Sequence, residues 1–399
     1  MRKTPLAWRN LTHDPRRLAT SLAGVGFAVV LIFTELGFLK ALLDSTVEPL
    51  RRVEADRQAY LVMVHRDKES LVDSYRFSRR WLVAAEACPG VAKAEAVFFE
   101  AGLAAWHNPI TGRSKAIRVI SADSEDLLAI LSGAPAAVRR LAMPGTGLFD
   151  VDSKRAFGYA DLPVGGAGLG SEAVLSRAPL RLVGAFELGT DFINDGNLVV
   201  ALRTFDDLFP TRRVREPDVP TVDLGLIRLA EGVDPEPTRN RLERELGAEA
   251  VGVRVLAPGR MIDAERWFWL QHTPVGWIFL LGVALGFVVG VVICFQVLSS
   301  DIRDHLAEYA TLKAIGYGNS YLVKVVVLQA SLLAVLGFLP SLAAADALYR
   351  LLRGMVGLPM RLDGLTVLAV FALTLLMCLS SAYLAIRKLF RADPAELFR

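Results

Sequence analysis

The chain has 399 residues, with 45 Lys and Arg against 42 Asp and Glu for a formal charge of +3, and it is 53% hydrophobic and 22% charged. That balance excludes a disordered or strongly acidic chain. The charges are segregated: residues 44–266 hold 33 acidic and 29 basic side chains, while the other 176 residues hold 16 basic and 9 acidic ones among long uncharged runs, which excludes a wholly soluble enzyme.

A bilayer core about 30 Å thick takes roughly 20 apolar residues to cross as a helix. Residues 1–17 carry Arg2, Lys3, Arg9, Arg16 and Arg17 and read as a cytoplasmic segment, with Leu6, Trp8 and Leu11 marking a short interfacial stretch. Asp14-Pro15 then supplies an N-cap and a proline at the first helical position. Residues 18–43 are the first expected transmembrane helix. Its apolar run exceeds the roughly 7–15 residues of a cleaved secretory signal, and Leu42-Leu43-Asp44-Ser45 lacks the small-residue cleavage pattern, so a retained signal anchor is expected. Glu35 falls in the outer turns of that helix, where a carboxylate can snorkel, and Lys40 on a helical extension beyond the bilayer.

Residues 44–266 are expected outside the cytoplasm as a large α+β domain. Strand patterns cover residues 59–65, 94–105 and 116–121, with helical spacing over 77–87. Helical stretches follow at 124–131 and 136–141, then a strand at 180–186. Residues 222–229, 235–246 and 250–256 repeat a β-α-β order. Two such units around an inserted region suggest two subdomains. Cys88 is the one cysteine of this domain, so no disulfide forms within it.

Four spans in all are expected. Residues 267–300 give the second transmembrane helix with an extracytoplasmic extension, about 25 residues near 275–299 being the part that would span; 301–318 give a cytoplasmic helix, 322–349 the third span and 350–363 an extracytoplasmic loop. Residues 364–386 give the fourth span and 387–399 a cytoplasmic tail. Nine basic residues at the two ends place both termini in the cytoplasm, against the contrary Arg350, Arg353 and Arg361 of the short loop.

Catalytic signatures are missing from the sequence. The one glycine-rich loop, residues 163–170, follows proline rather than a strand and reads as a turn. No Gly-x-x-x-x-Gly-Lys-Ser/Thr occurs, the five histidines are scattered, and no Gly-x-Ser-x-Gly elbow is present, so the chain is not expected to be an enzyme or to hold a metal.

Two features of the apolar part stand out. Gly282, Gly286 and Gly290 form a small-residue stripe that lets helices approach closely, either across a dimer or within the chain, and Gly24 and Gly26 are candidates to meet it. Residues 301–318 begin with acids suited to a helix N-terminus and stop at Gly316 and Gly318. Leu306, Tyr309, Ala310 and Lys313 share one face, with Leu312, Ile315 and Gly316 near it. Mixed charge suits a protein partner better than an anionic lipid surface.

The run Glu308-Tyr-Ala-Thr-Leu-Lys-Ala-Ile-Gly316 closely resembles the coupling segment of the FtsX/MacB superfamily of ABC-transporter permeases. Gln329, the tail Arg391-Ala-Asp-Pro-Ala-Glu-Leu397, and the opening Leu6-Ala-Trp-Arg-Asn-Leu11 followed by Arg16-Arg17-Leu18 fit the same pattern. Within the superfamily, Leu182-Val-Gly-Ala-Phe-Glu-Leu-Gly-Thr-Asp-Phe-Ile-Asn-Asp-Gly-Asn197 looks like the DevC branch, permeases of exporters related to glycolipid secretion. The resemblance implies a MacB/FtsX-like fold: four transmembrane helices with a large α+β domain between helices 1 and 2, in a bacterial inner membrane. It implies a homodimer of permeases on two copies of an ABC ATPase that binds the ATP, so this chain needs no cofactor of its own. Nucleotide-driven closure would pass through the spans to the outside domains and drive export through a membrane fusion protein and an outer-membrane channel. By carry-over, Ile302, Arg303, Glu308, Tyr309, Leu312, Lys313, Ala314, Ile315 and Gly316 would dock on the ATPase. Membrane lipids are further expected partners and nucleic acid is not.

Alternatives within the family are a lipoprotein-releasing permease and a cell-division permease that activates cell-wall hydrolases. The 182–197 run argues against the first, and the 223-residue outside domain is too large for the second. A ligand sensor would need a cytoplasmic output domain, for which the short cytoplasmic pieces leave no room.

Overall fold

The computed structural model describes residues 8, 14–108, 111–158, 171–176, 178–191, 193–213, 220–247, 252–306, 308, 311–312, 315–356 and 360–391. The chain divides into two compact units, residues 1–40 with 274–354 and 360–399, and residues 41–273 with 355–359.

Among the described residues, the first unit is a bundle of four helices long and apolar enough to cross a membrane. Helix α1 runs Pro15–Glu54, so it continues past the expected end at Leu43. It starts where the sequence suggests: the Asp14 carboxylate accepts from Arg16 N at 3.0 Å and its carbonyl from Leu18 N at 3.0 Å. The second span covers the stretch expected near 275–299, but the extension before it is not continuous with it. Trp267 belongs to a separate helix of the other unit, and the span opens at Pro274, whose fixed φ starts a helix and whose missing N–H breaks the ladder before it.

The remaining spans are Pro274–Asp304, Asn319–Val356 and Gly364–Arg391. Their contacts give their directions. Glycine 24 lies against Ile293 and Gly282 against Glu35, so the first and second spans are antiparallel. Val25 meets Gly337, and the Tyr349 hydroxyl donates to Phe33 O, so the first and third are parallel. The Ser381 hydroxyl donates to Val291 O at 2.8 Å and Cys378 Sγ stands 3.5 Å from Cys294 Sγ, which joins the fourth span to the second. The start of α1, the end of the fourth span and the segment between the second and third therefore share one end of the bundle. A core of Val29, Ile32, Phe33, Leu298, Val326, Leu333 and Met377 fills its interior.

The second unit is built on one sheet. Its strands are β1 Tyr60–His65, β2 Phe77–Ser78, β3 Val91–Glu100, β4 Ala105–His107, β5 Ser114–Ala116, β6 Arg118–Ala122, β7 Thr146–Asp150, β8 Ser171–Leu175, β9 Ala178–Phe186, β10 Asn197–Val200, β11 Thr221–Val222, β12 Leu224–Leu229 and β13 Val253–Leu256. Eleven of them pair in the order β13-β1-β12-β3-β6-β10-β7-β9-β8-β4-β5, and β11-β2 form a separate ribbon. The two β-α-β units do not make subdomains. Their strands interleave (β1 pairs with β12 and β13, β12 with β3), and the inserted region extends the same sheet from β6 onward. The helices α2 Arg80–Glu86, α3 Glu125–Ser132, α4 Pro135–Val138, α5 Leu202–Leu208, α6 Pro235–Glu245 and α7 Pro258–Gln271 flank the sheet's strands in the chain order. Two apolar clusters fill this unit, one around Leu61, Phe98, Trp106 and Phe149, the other around Val62, Ile120, Leu148 and Leu226. Residues 163–170, the glycine-rich turn, lie outside the described residues.

Candidate functional site: the segment between the second and third spans

The second span, α8 (Pro274–Asp304), carries its helix through Asp301 instead of ending before it. Asp301 is thus no helix N-terminus. It is buried, and its Oδ2 accepts from Gln329 Nε2 at 2.8 Å across to the third span, α9 (Asn319–Val356). The His305 ring packs back on it, with Nδ1 2.9 Å from Asp301 O and 3.6 Å from Asp301 Oδ1. Beside this polar contact Ile302 enters the bundle core with Leu298, Leu322 and Val325. A buried carboxylate is tolerable only where donors meet it. The pairing with Gln329 fixes the end of α8 to the start of α9.

From that anchor the chain turns outward. Leu306 and Leu312 pack at the edge of the same core, whereas Arg303, Glu308 and Gly316 are exposed. Ile315 is 71% exposed and Tyr317 46%. The turn closes where sequence reasoning put it. Gly316 has φ +103°, a conformation that favours glycine, and Tyr317 N reaches back to Leu312 O at 3.0 Å. The Tyr317 ring rests on Tyr321 at 4.7 Å between centroids. Tyr309, Lys313 and Ala314 lie outside the described residues.

The result is a short cap with its apolar side tied into the bundle and an exposed side of mixed charge and bulky apolar groups. Such a surface suits recognition by a protein. Among the described residues no three His, Cys, Asp or Glu side chains gather as metal ligands.

The glycine stripe packs within the bundle. A side chain at Gly290 would collide with Met377 and stand 3.0 Å from Ala28 Cβ, and one at Gly286 would stand 3.1 Å from Ile32. Gly282 leaves room for the Glu35 carboxylate, while Gly24 and Gly26 face Ile293 and Ser341. Lys40 pairs with Asp363 at 2.6 Å, ahead of the fourth span, α10 (Gly364–Arg391).

Sequence reasoning missed the Asp301–Gln329 contact. Its signal was present: one amide in the uncharged run of residues 325–345 needs a partner, and Asp301 follows the preceding apolar run. The approach of Cys294 to Cys378 had no such signal, because it depends on the packing of helices far apart in sequence.

Residues 279–394 match the FtsX-like permease C-terminal domain model. A comparison with curated proteins finds no match. Among solved structures, the periplasmic region of MacB from Actinobacillus actinomycetemcomitans is similar at 9% identity and a TM-score of 0.35, covering 53% of this chain and 96% of that one. The extracellular domain of the noncanonic ABC-type transporter YknZ from Gram-positive bacteria is similar at 11% identity and a TM-score of 0.32, covering 49% of this chain and 99% of that one.

Proposed function

We propose that the chain, with four helices long and apolar enough to cross a membrane and a match to the FtsX-like permease C-terminal model over residues 279–394, is the membrane subunit of an ABC exporter that works as a homodimer with a separate ATPase. The observation that carries this reading is the capped segment after α8. Arg303, Glu308, Ile315 and Gly316 are presented outward while Ile302 and the Asp301–Gln329 pair hold their base in the bundle. Force applied to the exposed cap would reach two spans at once, because the anchor joins α8 to α9. ATP binds to the partner, whose closure moves the spans, and a membrane fusion protein and outer-membrane channel complete the export route. Leu312 contributes chiefly to the anchor, since it packs against the core, and Ile315 is the apolar contact offered to the ATPase.

Placement in the DevC-like branch rests on the 182–197 run alone. Affinity purification from native membranes tests the wider reading. Tagged wild-type chain should bring down a protein with its own P-loop and ATP hydrolysis. The I315D variant should lose most of it while keeping its thermal unfolding profile. Equal recovery with I315D would place the docking surface elsewhere.

A further inference from the structure

Glu35 is the one acidic residue between Leu18 and Leu43, and the bundle holds it inward instead of letting it reach up to water. Side chains of an α-helix lean toward the helix N-terminus. The Glu35 side chain thus leans away from the end of the bundle that holds Lys40, and its carboxylate lies over Gly282 of α8. A Cβ placed on Gly282 would stand 2.5 Å from Glu35 Cδ, 2.6 Å from Oε2 and 2.9 Å from Oε1. One turn nearer the Lys40 end, Phe38 stacks on Phe279 with ring centroids 6.3 Å apart. An aromatic pair therefore stands between the carboxylate and that end.

The basic residue nearest along the helix is taken. Lys40, five residues on and about 7–8 Å along the axis, pairs with Asp363 at 2.6 Å. Among the described residues Glu35 makes no hydrogen bond and no ion pair. Around it the helices are apolar: Leu31 lies against Gly286 one turn along, and Ile278, Leu281 and Leu285 of α8 are exposed on the outside of the bundle. A carboxylate among apolar groups with no donor is costly, and an acid kept inside a span marks a binding position. The missing partner is a cation from outside the polypeptide, and the groove opens to it on the side of those three exposed residues.

We propose that Glu35 and Gly282 form a site for a lipid-soluble ammonium, an amphiphile whose cationic head meets the Glu35 carboxylate over Gly282 and whose apolar chain lies along Ile278, Leu281 and Leu285. The head carries a net positive charge. A zwitterionic phospholipid would bring its phosphate up to Glu35 along with its ammonium, and like charges repel. Its head also belongs further out, at the level marked by the Lys40–Asp363 pair and by exposed Trp277, five residues before Gly282. The site stands independently of the export reading.

The test uses the full chain in phosphatidylcholine nanodiscs at constant high salt, with dodecyltrimethylammonium, dodecanol or dodecylphosphocholine at equal mole fractions. Labelling of the Glu35 carboxyl by dicyclohexylcarbodiimide, read by peptide mass spectrometry, should fall saturably with the cation and stay unchanged with the other two. The cation should also raise the thermal unfolding midpoint of the wild type relative to E35Q, which should bind it about tenfold more weakly. G282A keeps the carboxylate but crowds it, and should weaken the protection by the cation. If Glu35 resists the reagent, the midpoint difference decides. No protection by the cation, equal protection by dodecanol or dodecylphosphocholine, or an equal midpoint shift in E35Q would overturn the proposal.

Discussion

Asp301 and Asp150 are both buried carboxylates, one at the end of a span and the other inside the α/β domain, and the chain meets their desolvation in different ways. At Asp301 an amide from the next span supplies a donor. Replacing that donor, Gln329→Leu, should cost about 1–3 kcal/mol of stability in thermal unfolding. Asp301→Asn should cost less, because an amide oxygen still accepts from Gln329. Asp150 accepts from Leu188 N, Gly189 N, Asp152 N and Asn197 Nδ2, yet burial still pushes its carboxyl up to about 6. Burial also raises Asp123, Asp152 and Glu265. For Asp150 the folded value lies above the unfolded one near 3.9, so the folded state holds the extra proton between about pH 4 and 6. Stability from this group is therefore full below about pH 4 and lost as pH rises through 6, on the order of 2–3 kcal/mol. Unfolding midpoints measured across that window should fall with rising pH, and the slope should be shallower in Asp150→Asn.

At the scale of elements, close helix approach is set by glycines. Gly290→Val should destabilise the bundle by about 1–3 kcal/mol, since Met377 and Ala28 occupy the space, whereas Gly364→Ala meets nothing within 4 Å and should be neutral in the same unfolding assay. The spans were legible because long uncharged runs leave a chain few other stable states. The spanning part of α8 near 275–299 was legible from its uncharged run, whereas the break at Thr273-Pro274 that separates it from Trp267 was not drawn, because a count of charges does not see it. In the sheet, β1, β3 and β12 announced themselves by apolar β-formers. Strands β7 (Thr-Gly-Leu-Phe-Asp) and β10 (Asn-Leu-Val-Val) did not: they are short, and their burial comes from the strands pairing on either side. The pairing of β1 with β12 and β13 is long-range, so the single sheet could not be read from local pattern.

On the proposed reading, the bundle whose residues 279–394 match the FtsX-like permease C-terminal model hands mechanical work from a separate ATPase to the α/β domain, with the cap after α8 as the first contact. The candidate segment itself was legible from sequence, through Glu308, the glycine stop at Gly316 and the run between them. Which residues face outward was not, because Leu312 and Ile315 are equally apolar and only the packing of α8 on α9 separates them. The most direct measurement is photo-crosslinking from a probe at Ile315 in native membranes, with mass spectrometry of the adduct, with and without an ATP analogue. The expected product is an adduct with a protein carrying a P-loop, its yield changing with nucleotide. Adducts with lipid alone, in both conditions, would contradict it.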